Sequence, residues 1–355
     1  MKNGLKNGIA ISLIPQIIVV KILGAYPEFI ETYYSQGLYP WISSFFRLLF
    51  GWLPFSIGDI LYFLLIFFAV RYLIVQRKSI KTQWKPFLRD VMMVLSTAYL
   101  SFHMLWGLNY YRRPISEKLG LKESHTQNEL VGLIEELTER TNTLQLAITR
   151  DSTLAVAIPY TQQEIFEKTI QGYQELENSL PFLAYKRPSI KTSLFSTALT
   201  YMGYGGYLNP FTNEAQVNGR LPNFRFPVVT AHEMGHQVGY SAENETNFIG
   251  YLVTASSDDP YFQYSASAYA LGYCLSDLRR WDKAAFEAQY KKLNAGVKGN
   301  FQEVVDFWKQ FENPLEPVFK SIFDSFLKAN SQAEGIQSYN AVVSLLVNYH
   351  SKNPL

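Results

Sequence analysis

The chain has 355 residues, more than one hydrophobic core usually serves, so two structural parts are expected. Its 32 Lys and Arg against 30 Asp and Glu leave a net charge of +2, which excludes a globally basic nucleic-acid binder and an acidic disordered chain. Charged residues make up only 17% and aromatics 15%, and that pairing places part of the chain in lipid.

Three apolar stretches crowd into residues 1–110, the expected membrane region. The first, residues 9–26, follows Lys2 and Lys6 and is interrupted by Pro15, Gln16 and Lys21. Lys21 spoils the cleavage region of a signal peptide, so an uncleaved anchor is the better reading. The second, residues 55–75, has no charge between Ile60 and Val70. The third, residues 91–108, is framed by Arg89 and Asp90 on one side and Arg112 and Arg113 on the other. Each approaches the length needed to cross the hydrocarbon layer, and Trp52 and Trp106 suit its interfaces. Residues 29–53 are also apolar but hold Glu31, Pro40 and Arg47, and read as interfacial or re-entrant. His103 reads as an interfacial histidine at the end of the third span.

Arg77, Lys78, Lys81, Lys85 and Arg89 lie between the second and third spans with no acidic partner before Asp90. Positive loops stay in the cytoplasm, so three spans place residues 111–355 outside it. The expected location is the cell membrane, multi-pass, with an extracytoplasmic carboxy-terminal domain.

In that domain, Thr126 with Glu129 and Thr161 with Glu164 are capping boxes that open helices over 130–144 and 165–180. Residues 189–200 are β-like, 203–207 are Gly-rich, and 209–218 suit a turn and a short strand. Helices are expected over 227–237, 242–255 and 260–280, and the rest through 347 reads as mostly helical. The fold class is α+β, mostly helical, with a small sheet. Cys274, the single cysteine, excludes an internal disulfide and a cysteine-cluster metal site, and reads as core.

The chemistry concentrates in Ala231-His232-Glu233-Met234-Gly235-His236-Gln237. Residues four apart share a helical face, so His232 and His236 can reach one Zn2+ ion as metal ligands. Glu233 lies one step round the helix, beside the open coordination position, where a carboxylate can take a proton from water. Only five histidines exist, and two fall at this spacing. A catalytic zinc needs a third protein ligand, for which Glu243 and Glu245 are both candidates. Asn247, four residues after Glu243, can orient a histidine. Among so many tyrosines no oxyanion partner stands out; Tyr269, Tyr273 and Tyr339 are candidates.

His232-Glu233-x-x-His236, followed by Gly239 and by Glu243-x-Glu245-x-Asn247-Phe248, resembles gluzincin-type metallopeptidases. Asn209-Pro210-Phe211-Thr212, Glu214-Ala215, Val217-Asn218 and the three apolar stretches extend the likeness. Together they make the chain resemble, over nearly its whole length, a bacterial membrane family, domain of unknown function 3810. The gluzincin likeness implies a zincin-like domain with Glu243 as third ligand, although six residues between His236 and Glu243 are fewer than most gluzincins have. It also implies an edge strand for peptide substrates, expected over 211–218.

The expected activity is that of a membrane-anchored zinc metallopeptidase with Glu233 as catalytic base, acting on a peptide or protein, bound to a lipid bilayer and not to nucleic acid. The alternative is a catalytically silent, zinc-stabilised binding or regulatory membrane protein. Intramembrane proteolysis is disfavoured, because Asn223, Arg225, Gln237, Glu243 and Glu245 surround the motif.

Overall fold

A computed structural model of the chain describes residues 3–332, 335 and 341–355. Most of it is helical, with one three-stranded sheet. α1 (Asn3–Ile11) and α2 (Leu13–Gly24) form one apolar rod interrupted at Ser12. Pro15 accounts for the break: it has no N–H for the Ile11 carbonyl, and its ring crowds that carbonyl. α3 (Pro27–Phe29), a π-helical stretch (Ile30–Leu38) and α4 (Tyr39–Phe50) follow. α5 (Ile57–Thr82) and α6 (Trp84–Leu105) are separated by Gln83 alone.

Two of the described helices are long and apolar enough to cross a membrane, Asn3–Gly24 and Ile57–Thr82. The third expected span is helical, as α6, but carries Arg89, Asp90 and His103 and is not one of these two. α1 and α2 run parallel to α6. Lys6 meets Asp90 at 3.2 Å, and Gln16 donates to Ser96 at 2.9 Å. The basic residues expected in a loop instead stand on the adjoining ends of α5 and α6.

Beyond a short α7 (Ile115–Leu119), both capping boxes form and open α8 (Gln127–Thr149) and α9 (Gln162–Glu177). β1 (Ile190–Thr192), α10 (Ser196–Met202), β2 (Gly206–Asn209) and β3 (Glu214–Val217) follow, then α11 (Phe226–Gln237), α12 (Glu243–Ala255) and α13 (Pro260–Trp281). α14 (Lys283–Lys291), α15 (Ala295–Lys309), α16 (Glu316–Ala329) and α17 (Val342–His350) complete the described helices. The main core lies among α8, α9, α11, α12, α13 and α17, and includes Cys274.

The sheet departs from expectation in two places. Only three residues of the 189–200 stretch are extended. Ser193 turns the chain by accepting from the Phe195 amide at 3.0 Å, and Thr200 bonds back to the Ser196 carbonyl at 2.8 Å, so α10 replaces the rest. The strand expected over 211–218 is central rather than at the edge: β3 pairs in parallel with β1 and antiparallel with β2. The edge facing α11 is therefore β2.

The amino end of α5 is fastened to this sheet. Its first amides, unpaired within the helix, donate to Glu214: Ile57 at 3.1 Å and Gly58 at 2.6 Å. Gln216 donates to the N-cap Ser56 at 2.6 Å. Buried Asp59 accepts from the Leu194 amide at 2.6 Å, from Ser193 at 3.0 Å and from the Tyr207 hydroxyl. Glu214→Ala strands two first-turn amides, the Gly58 one buried, and is expected to lower unfolding stability by about 1–3 kcal/mol in detergent thermal denaturation. An unchanged midpoint would show that α5 does not depend on this anchor.

Candidate metal centre

α11 is buried on all sides except around Val229. Pro227 suits its first turn, where its missing N–H has no helical partner to lose. At its carboxyl end Gly239 adopts φ +94°, and the Tyr240 amide returns to the Gly235 carbonyl at 3.2 Å. This left-handed turn folds α12 back along α11, which brings Glu243 opposite the histidine pair.

The last carbonyls of α11 are capped from the amino-terminal third of the chain. Trp106 Nε1 donates to the His236 carbonyl at 3.0 Å, the Tyr39 hydroxyl to Gln237 O at 2.9 Å, and Arg112 to Gly239 O at 2.8 Å. Residues 29–53 are thus not simply interfacial, for Tyr39 is buried at the end of the motif helix. Arg112, one of the two arginines that follow the third apolar stretch, is buried in an ion pair with Glu31 at 2.9 Å. Arg112 and Lys118 overcome the effect of burial and hold the Glu31 carboxyl down at about 2.

His232, Glu233 and His236 lie together on α11, with one potential ligand atom from each within 4.8 Å of the others. Glu243 Oε2 stands 3.3 Å from His232 Nε2 and 3.8 Å from His236 Nε2. His236 Nδ1 is 2.8 Å from the Tyr240 carbonyl, so this nitrogen carries the proton and Nε2 presents its lone pair towards Glu243. Asn247 is a hydrogen-bond partner of His232, and its own Oδ1 accepts from the Tyr269 hydroxyl at 2.6 Å.

Glu245 lies elsewhere. Two residues from Glu243 on a helix is nearly the opposite side, and its Oε1 accepts the Ile115 amide at 2.6 Å at the start of α7. Burial pushes the Glu245 carboxyl up to about 7, against the Ile115 hydrogen bond and the Arg112 charge.

Burial also dominates the electrostatics of the centre. It pushes Glu233 up to about 8, aided by the Glu243 charge and opposed by His232. It pulls His236 down to about 4. At His232 the hydrogen bond to Glu243 and the charges of Glu233 and Glu243 outweigh burial, and the net displacement is upward.

The donor set fits a metal ion. Ligands about 2.0–2.1 Å from a tetrahedral zinc lie about 3.3–3.4 Å apart, close to the His232–Glu243 separation. Glu233 Oε2 is buried with no hydrogen-bond partner among the described residues, a costly state that an ion or water beside it relieves. Glu233 Oε1 lies under β2, where a side chain at Gly206 would come within 2.5 Å of it. Gly206 was read in the sequence as part of a flexible run; here it makes room for the carboxylate.

These groups lie on the wall of a cavity of about 1030 Å3 whose lining includes β2, Tyr110, Arg225, Tyr269 and Tyr273. Tyr39, Trp106 and Tyr110 gave no functional signal in the sequence, since only the fold brings them to the motif. Tyr339 lies outside the described residues. His103 is buried against Tyr99 and Phe102 rather than placed at an open mouth, and its Nδ1 is 3.0 Å from the Tyr99 carbonyl.

A family model described as "Protein of unknown function (DUF3810)" matches residues 34–347. No curated protein and no solved structure matches the chain.

Gly206→Ala sets a methyl group 2.5 Å from both Glu233 Oε1 and the Gln216 carbonyl. It is expected to cost about 1–3 kcal/mol of stability by thermal denaturation, as overpacking does. A variant as stable as the parent would show that the carboxylate does not need this space.

Proposed function

The chain belongs to the DUF3810 family, whose description assigns no activity, and from its site we propose that it is a membrane-anchored zinc metallopeptidase. The observation that carries this reading is the division of labour within the cluster. Two imidazoles and Glu243 converge, while Glu233 keeps an unpartnered buried oxygen beside a cavity bordered by a sheet edge.

His232, His236 and Glu243 would hold the zinc, which when bound supplies Lewis-acid polarisation of a peptide carbonyl and of water. In its ionised form Glu233 takes a proton from the attacking water as the oxygen–carbon bond forms, and returns it to the amine nitrogen as the carbon–nitrogen bond breaks. The Tyr240 carbonyl fixes the His236 tautomer, and Asn247, held by Tyr269, steadies His232. β2 offers the extended backbone edge along which a peptide can lie. Tyr110 and Tyr273 line the cavity and offer hydroxyls to a developing oxyanion.

The proposed topology has three spans. The cluster Arg77, Lys78, Lys81, Lys85 and Arg89 lies at the cytoplasmic end, and the cavity at the outer membrane face. Neutralisation of Arg112 by Glu31 removes one of the two positive charges that follow the third span on its outer side.

Metal analysis of the purified full chain is expected to find about one zinc per chain. His236→Ala and Glu243→Ala should lose it, whereas Glu245→Gln should keep it. Glu233→Gln should also keep zinc and lower hydrolysis of an unfolded protein by at least about a hundredfold, as loss of a general base does. Full zinc content in His236→Ala would end the metal reading. A zinc-loaded parent that hydrolyses nothing would favour a binding or regulatory role.

A further inference from the structure

The cavity beside Glu233 is walled in part by the membrane-directed helices. Tyr62, Leu65 and Ile66 of α5 line one side, and Leu65 and Ile66 are 53% and 62% exposed. Phe63, Leu64, Phe67 and Phe68 are exposed as well. Six consecutive exposed residues cover every side of a helix, so among the described residues α5 is only sparsely covered by protein at this level, including the flank turned towards the cavity. The facing wall is formed by Phe102 of α6 with Phe323 and Phe326 of α16. Phe326 packs edge-on against Phe102 and Tyr110, with ring centres 5.7 and 6.0 Å apart.

α16 continues the apolar surface outward. Leu315 just before it, and Val318, Ile322 and Phe326 within it, are exposed at spacings that share one helical face, while Leu327 is buried. Lys21, near the end of the first span, donates to the Ala329 carbonyl at 2.9 Å and ties the end of α16 to the level where that span ends. An amphipathic helix held there suits the membrane interface. The opening between α5 and the α6–α16 wall therefore faces lipid, whereas β2 and Glu233 lie deeper on the protein side.

Resting on the peptidase reading, we infer that the substrate is a membrane-anchored polypeptide that enters sideways from the bilayer between α5 and α16. Its apolar segment lies against Leu65, Ile66, Phe323 and Phe326, and the adjoining extended stretch runs along β2 to Glu233. The free strand edge selects a polypeptide, because it matches a peptide backbone and not an acyl chain. The apolar walls select an anchored one, because a polar soluble peptide leaves them without apolar contact.

Cysteine cross-linking in lipid nanodiscs tests this with the full chain. Glu233→Gln prevents cleavage, and the native Cys274 is buried. One probe peptide carries about 20 apolar residues, enough to anchor in the bilayer, with a cysteine just before an extended polar stretch. A second replaces the apolar residues by Ser and Gly. Leu65→Cys faces the cavity, and Phe63→Cys lies at the same depth on the opposite flank of α5.

On mild oxidation the anchored probe should form a disulfide at Leu65→Cys about tenfold more than at Phe63→Cys, a factor equivalent to about 1.4 kcal/mol. A cysteine-free anchored peptide should compete this away, and the polar probe should not. Equal labelling at the two positions, or equal competition by the polar peptide, would overturn lateral entry even if zinc-dependent hydrolysis of soluble protein is intact. Selective labelling at Leu65→Cys with no cleavage of the anchored peptide by the zinc-loaded parent would keep the entry route and overturn the peptidase reading.

Discussion

The constraint on which the rest depends is the carboxyl end of α11. A helix leaves its last carbonyls without internal partners, and here they must be satisfied inside the protein, next to His236. Trp106, Tyr39 and Arg112 supply the donors, all from the amino-terminal third. Gln237 completes the arrangement by donating to the carbonyls of Ser189 and Asn213 and accepting from the Tyr185 hydroxyl. The histidine spacing on α11 is local, but the position of α11 is not. The amino-terminal third of the chain is part of the site's scaffold.

The same economy separates the two acidic residues of α12. Helical geometry sends Glu243 and Glu245 to nearly opposite sides. Glu243 meets the imidazoles, while Glu245 caps α7 beside the Arg112 and Glu31 pair. Glu245 thereby links the far side of α12 to the segment that caps α11. On the other side of the motif, Gly206 leaves space for the Glu233 carboxylate, and Tyr207, the next residue, is tied to Asp59 of α5. Glu233, the sheet edge and the apolar helix are therefore positioned together.

Much of this was legible in the sequence because it is local. Both capping boxes form, the helices around 227–237, 242–255 and 260–280 occur within a residue or two, and two of the three apolar stretches form helices long and apolar enough to cross a membrane. The errors come where side chains override local preference. The extended reading of 189–200 failed because Ser193 and Thr200 satisfy the backbone in a turn and a helix. The edge strand was misplaced because strand order depends on β1, a three-residue element with no periodicity to read. Residues 29–53 carried the right clue in Glu31, a charged group inside an apolar run, but its partner Arg112 lies far along the chain. Choosing between Glu243 and Glu245 needed the angle at which α12 returns, set by Gly239.

X-ray absorption at the zinc edge of the purified full chain tests the central claim most directly, because it reads the ligands themselves. Two imidazoles and one carboxylate at about 2.0–2.2 Å, with no sulfur, are expected, leaving one position to water. A spectrum with a single imidazole, or none, would contradict assignment of His232, His236 and Glu243 as the metal centre.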